Sequence, residues 1–198
     1  MADKSGHKER TRARILDEAA QALRVSGTEG VSVGTLMKRA GLTHGGFYAH
    51  FSSRDDLVAN AVGRMFQDSA AMLDHFLPEG AGVEDVARLI DYYLSEQVFA
   101  APERHCPLPG LSGEVRRMPP AARAKFEAGV EAFRNRLEGA LQATAGDNAR
   151  QLATTLLAEM VGAMTLARAS GEQAIASELL ENSREHLKQR LGIVSTRR

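Results

Sequence analysis

Apolar residues recur along the chain at helical spacing, and almost nowhere do they alternate with the period of two that a strand requires. Ile15, Leu16, Ala19, Ala20 and Leu23 form one stripe of a helix expected from about residue 8 to residue 25. "SGTEG", Ser26 to Gly30, then supplies turn residues. Ser32 is placed as the N-cap of a short second helix that stops at Gly41, with Val31 and Leu36 spaced as a hydrophobic staple. Thr43 is placed to cap a third helix ending near Phe51. Ser52 and Ser53, each three residues ahead of an aspartate (Asp55, Asp56), offer a capping box for a fourth over 54–77, which Pro78-Glu79-Gly80 ends. A fifth is expected over 83–99. All six prolines lie between Pro78 and Pro120, so residues 100–119 hold short helices at most. Pro120 suits the first position of a helix over 120–144, and two more follow over 148–170 and 172–191. The expected fold class is all-α.

The third helix carries a local oddity. "GLTHGGFYAHFSSRDDL" places Gly45 and Gly46 together, although glycine inside a helix costs about 1 kcal/mol relative to alanine. On a helical wheel Phe47 and Phe51 share a face with Leu42, while His44 and Tyr48 lie opposite with Gly45 and Ala49 beside them. No carboxylate occurs from Thr43 to Ser53. A face of small residues and two hydrogen-bonding rings suits close approach of a backbone to a major groove. Read alone, the pair could also be a plain helix break beside a small aromatic core. Two short helices joined at Gly41, the second facing outward, form a helix-turn-helix.

Charge sharpens this picture. Residues 1–54 hold nine Lys/Arg against five Asp/Glu, and the remainder sixteen against twenty, so a neutral chain has a basic first quarter suited to a polyanion. Cys106 is the one cysteine, which excludes an intrachain disulfide and fits a reducing compartment. The charged N-terminus lacks a signal-peptide core, and no run approaches the ~18 consecutive apolar residues of a membrane span. A cytoplasmic protein with no membrane partner is expected. No metal-spaced His/Cys set, GxSxG or phosphate loop is present, so neither a cofactor nor an enzymatic activity is expected.

"TRARILDEAAQALRVSGTEGVSVGTLMKRAGLTHGGFYAHFSSRDDLVANAV" resembles the N-terminal domain of the TetR family of bacterial transcriptional regulators. The resemblance implies an N-terminal three-helix DNA-binding head with a helix-turn-helix (1–53) and a C-terminal helical-bundle ligand-binding and dimerisation domain (54–198). It implies a homodimer paired through the last two helices. Leu152, Leu156, Ala163, Met164 and Ala167 fit such an interface, although the same stripe also suits intrachain core. Carried over by position, Ser32, Thr35, Thr43, His44, Gly45, Tyr48, His50 and Arg54 are the implied DNA-contacting residues, with Lys4, Lys8, Arg10 and Arg12 as an arm over the flanking backbone. His50 could instead be a half-buried link between the third and fourth helices. A two-fold dimer requires a pseudo-palindromic double-stranded operator with half-sites about 34–36 Å apart, or a multiple of this.

The family also implies an effector cavity, for which Met65, Met72, Phe76, Tyr92, Tyr93, Phe99, Cys106, Phe126, Phe133 and Met160 are the candidate lining residues. Such a lining points to a hydrophobic small-molecule effector. In "PERHCPLPGLSGEVRR", Cys106 sits ahead of a "PL…E" pattern found in regulators of this family, some of which sense electrophiles through such a cysteine; it also suits a small hydrophobe in the core. Two competing readings are an all-helical enzyme using His105, Cys106 and the tyrosines, and an adaptor whose helix-turn-helix does not bind DNA.

Overall fold

The stripe of Ile15, Leu16, Ala19, Ala20 and Leu23 is the buried side of helix α1, Asp3–Ser26. The computed structural model describes residues 3–30 and 32–193, with side chains from residue 6 onward. Val31, and with it the expected staple, lies outside the described residues, as does the Lys4 side chain. α1 begins ahead of its apolar pattern because Lys, Glu and Arg are good helix formers. Lys8, Arg10 and Arg12 therefore stand on regular helix.

α1 stops at Gly27, whose φ of +71° only glycine adopts without strain. α2, Val33–Arg39, follows, then a 3-10 helix, His44–Ala49, and the long α3, Arg54–Phe76. Ser53 Oγ accepts the Asp56 N–H at 3.1 Å, while the Asp56 carboxylate accepts the Ser52 N–H at 3.0 Å, so the capping box spans both serines. The helix expected over 83–99 is two: α4, Val83–Tyr93, and α5, Glu96–Ala100. Ser95 breaks it by turning extended and accepting the Val98 N–H at 3.3 Å, the local competition with helix that serine offers. After α6, Leu108–Leu111, and a 3-10 turn at Ser112–Arg117 come α7 (Pro120–Ala145), α8 (Ala149–Ala169) and α9 (Gln173–Arg190). No strand occurs among the described residues, and the fold is all-α.

The chain forms two compact units. One comprises residues up to Asp68 with Pro102–Gly129, the other Ser69–Ala101 with everything from Val130, so α3 and α7 are each divided between them. In the first, Arg24 is buried, and its guanidinium binds Asp68 Oδ2 at 2.8 Å and the Glu103 carbonyl at 3.2 Å. Arg64 pairs with Asp17 at 2.9 Å, a second tie between α1 and α3.

In the second unit α8 and α9 form an antiparallel hairpin, with Glu159 bound by His186 at 2.9 Å and Arg190 at 3.1 Å. Leu156, Ala163, Met164 and Ala167 are buried within the single chain, and Leu152 is partly covered. Most of the stripe expected at a dimer interface is thus already covered within one chain; the exposed apolar residues here are Leu166 (60%) and Ile175 (46%). One 18-residue window within Pro120–Ala169 reaches a mean hydropathy of 1.2, although no uninterrupted apolar run does. Leu137, Leu141, Leu156 and Met160 of that stretch are fully buried, as in core helices.

Candidate nucleic-acid interface

Ser32 starts α2 as expected, its hydroxyl oxygen accepting the Thr35 N–H at 3.2 Å. α2 ends in a Schellman motif: Gly41, at φ +69°, donates to the Lys38 carbonyl at 3.0 Å, and Leu42 to the Met37 carbonyl at 2.8 Å. This sharp stop turns the chain directly into the His44–Ala49 helix. That helix is 3-10 and not α, and the Thr43 side chain does not cap it.

The two sides of this short helix differ as the wheel predicts. Phe47 and Phe51 are buried, their rings stacked 5.6 Å apart, and the Arg12 guanidinium lies 5.0 Å from the Phe51 ring centre. Opposite them Thr43, His44, Gly45 and Ala49 are exposed, and Tyr48 is 70% exposed, its ring edge-on to Phe47 at 5.2 Å. Phe47 therefore supports Tyr48 from below, holding an amphipathic ring outward at low entropic cost.

A Cβ added at Gly45 would meet nothing within 4 Å, and one at Gly46 would make only ordinary contacts 3.7 Å from Met37 and Thr43. Neither glycine has a positive φ. Nothing inside the described chain requires either to be glycine.

Around this surface the other candidates divide. Lys8 and Arg10 are exposed on α1, and Thr35 is exposed beside Ser32. His50 is half-buried, and its Nδ1 is buried without a hydrogen-bond partner. Burial first, then the charges of Lys8, Arg12 and His7, hold its pKa below 6.5. Arg54 is already engaged: its guanidinium donates to the Thr28 carbonyl and lies 3.9 Å from Glu29.

The candidate effector residues fall in both units. Met65, Cys106 and Phe126 are buried in the first. Tyr93, Phe133 and Met160 are buried in the second, where Met72, Phe76, Tyr92 and Phe99 remain partly exposed. Phe76 packs on Tyr92 at 4.9 Å, and burial raises the Tyr92 pKa. An open groove of about 270 Å³ lies elsewhere in the second unit, lined by Leu77, Pro78, Gly80, Ala81, Asn135, Arg136, Gly139 and Ala140. Arg24 and Glu114 escaped the sequence reading. Position 24 continues the buried row of Leu16 and Ala20, so burial of Arg24 was legible there, but its partners, 44 and 79 residues away, were not.

Residues 15–61 match the family model of bacterial regulatory proteins, tetR family, which covers α1 from Ile15 through α2 and the His44–Ala49 helix into α3. The N-terminal segment is thus similar to the DNA-binding domain of the TetR family of transcriptional regulators. Solved TetR-family structures share its fold over most of the chain. A regulator from Chloroflexus aurantiacus superposes with a TM-score of 0.81 at 23% identity, over 95% of this chain and 97% of its own. Reduced NemR from E. coli gives 0.75 at 24% identity, over 94% and 98%. FadR from Bacillus subtilis, in complex with stearoyl-CoA, gives 0.69 at 17%, over 92% and 99%. At these identities the likeness to each structure is one of fold. No curated sequence matches the chain. Within the matched segment, α2 and the His44–Ala49 helix are the two helices of the helix-turn-helix.

Proposed function

We infer that the protein is a cytoplasmic, homodimeric, ligand-responsive repressor whose residues 1–53 bind a pseudo-palindromic operator and whose residues 54–198 bind effector and partner. The observation that carries this is the pair Gly45-Gly46: the first exposed, the second half-buried, both free of left-handed backbone and unneeded by internal packing. Their cost is accounted for by a surface outside the chain that must come close. His44 is the extended base-reading side chain of this face. Tyr48 and His50 contact phosphates, which set register but carry no sequence information. With few long side chains on the reading face, part of the specificity comes from DNA shape.

The effector is a hydrophobic small molecule, a reading supported by the Met-rich and aromatic residues above and by the stearoyl-CoA complex of FadR. Cys106, 5% exposed beside His105, is the site for an electrophilic effector. Binding lowers operator affinity by favouring a conformation with less affinity for DNA. Pairing of subunits uses the outer side of α8 and α9 through Leu166 and Ile175.

Selection of duplexes from the genome with purified protein tests the reading, repeated with Gly45→Leu. A leucine there should hold the backbone off the groove and forfeit one or two base contacts at about 1–3 kcal/mol each, roughly a hundredfold in affinity. Wild-type affinity in a folded Gly45→Leu protein removes the recognition surface. Alkylation that leaves operator binding unchanged in the wild type removes the electrophile reading of Cys106.

A further inference from the structure

We propose that Glu114 is a positioning residue for the DNA-reading head, holding the turn between α1 and α2 and thereby setting the pose of the helix-turn-helix. The inference rests on the DNA-binding reading above and deepens it.

Thr28 lies in the turn that precedes Ser32, the N-cap of α2, and is 3% exposed. All three of its polar groups are held by distant side chains. Glu114 Oε2 accepts both the Thr28 N–H and the Thr28 hydroxyl at 2.7 Å each, while the Thr28 carbonyl accepts from Arg54 at the start of α3. Two short hydrogen bonds to one carboxylate oxygen are the strong, charge-assisted kind. Gly27 makes room for this grip, since a Cβ there would overlap the Glu114 carboxylate.

The carboxylate is delivered from an anchored segment. Leu108 and Leu111 are buried, and the Ser112 hydroxyl donates to the Leu108 carbonyl at 2.7 Å. A Cβ on Gly110 would stand 2.8 Å from the Arg24 carbonyl, so α6 lies directly against the end of α1. Glu114 thus reaches the turn ahead of the helix-turn-helix across 86 residues of sequence, within one compact unit. The turn it holds is the element that orients α2, and α2 through the Gly41 stop orients His44 to Ala49. Its effect is on geometry and not on contact with DNA.

The test uses the full chain and the operator duplex selected by the wild type, with an unrelated duplex as control. Glu114→Ala should lose about tenfold in operator affinity, the worth of one hydrogen bond to a charged group, while affinity for the unrelated duplex holds within about twofold. Hydrogen exchange of amides 33–49 should accelerate in that variant. Glu114→Gln, whose amide oxygen can accept both donors, should stay within about threefold of wild type. Thr28→Val should resemble Glu114→Ala, and the double variant should lose little more than either alone.

A folded Glu114→Ala protein with wild-type operator affinity and wild-type exchange overturns the proposal. So does a loss shared equally by both duplexes, which marks general destabilisation. If Glu114→Ala does not fold, Thr28→Val and Glu114→Gln are judged by the same readouts. If the wild type selects no duplex, the DNA-binding reading fails separately, and the exchange comparison still decides the role of Glu114.

Discussion

Gly27 and Gly45 are the same residue for opposite reasons. Gly27 sits at φ +71° against the Glu114 carboxylate, so alanine there meets both left-handed strain and a clash. Gly27→Ala should lower stability by at least about 1–2 kcal/mol from the strain alone. Gly45→Ala has open space and an ordinary φ, and should be neutral or stabilising by up to about 1 kcal/mol while weakening operator binding. Urea midpoints check both signs, and equal destabilisation by the two would contradict the account. His50 supplies a pH signature. Its folded pKa lies below 6.5, so as pH falls through 6.5 the unfolded chain takes up the proton first and stability declines until the lower folded value is passed. His50→Gln should flatten the urea midpoint between pH 7 and pH 5 relative to wild type; parallel slopes would assign the proton elsewhere.

Among the elements, α1 and α3 are joined by ion pairs that apolar periodicity does not report. The Arg24 side chain is 3% exposed, against 36% for its partner Asp68. Breaking a buried pair from one side is costly because a charge is left uncompensated. Asp68→Ala should destabilise by about 3 kcal/mol, the low end for buried pairs because Asp68 is partly solvated and two carbonyls still bind Arg24. Arg24→Met combined with Asp68→Leu should recover most of that in urea unfolding. If the single and double variants are equally unstable, the pair is not the cause. The stops of α1 at Gly27 and α2 at Gly41 and the start of α7 at Pro120 were legible, since each is local backbone chemistry. The break at Ser95 was not read, because α4 and α5 form one continuous apolar pattern and only the serine's own hydrogen bond divides them.

At the scale of the molecule, a basic head on a neutral chain has a measurable consequence. Operator affinity should fall steeply with salt, log K declining linearly in log salt in proportion to the phosphates neutralised. Replacing Lys8 and Arg10 together should reduce that slope by about 2 and leave sequence preference unchanged. The exposed pair on α8 and α9 gives a second test. Leu166→Arg with Ile175→Glu should yield a monomer in sedimentation with unchanged helical circular dichroism, since neither side chain belongs to the hairpin core. A dimer that persists in this variant would move the interface elsewhere.

Most helix positions, and the inward and outward sides of the His44–Ala49 helix, followed from the chain alone, because capping, left-handed glycines and apolar spacing act over a few residues. Phe47 and Phe51 inside with Tyr48 outside is the clearest case. What only the tertiary structure decided is where an apolar or charged residue spends its surface. The α8 stripe turned out to be spent inside the chain, Arg54 on the Thr28 carbonyl, and Glu114 on the Thr28 N–H and hydroxyl 86 residues away. Periodicity shows that a face is buried, but its partner is set by packing among elements far apart in sequence, where no local preference speaks.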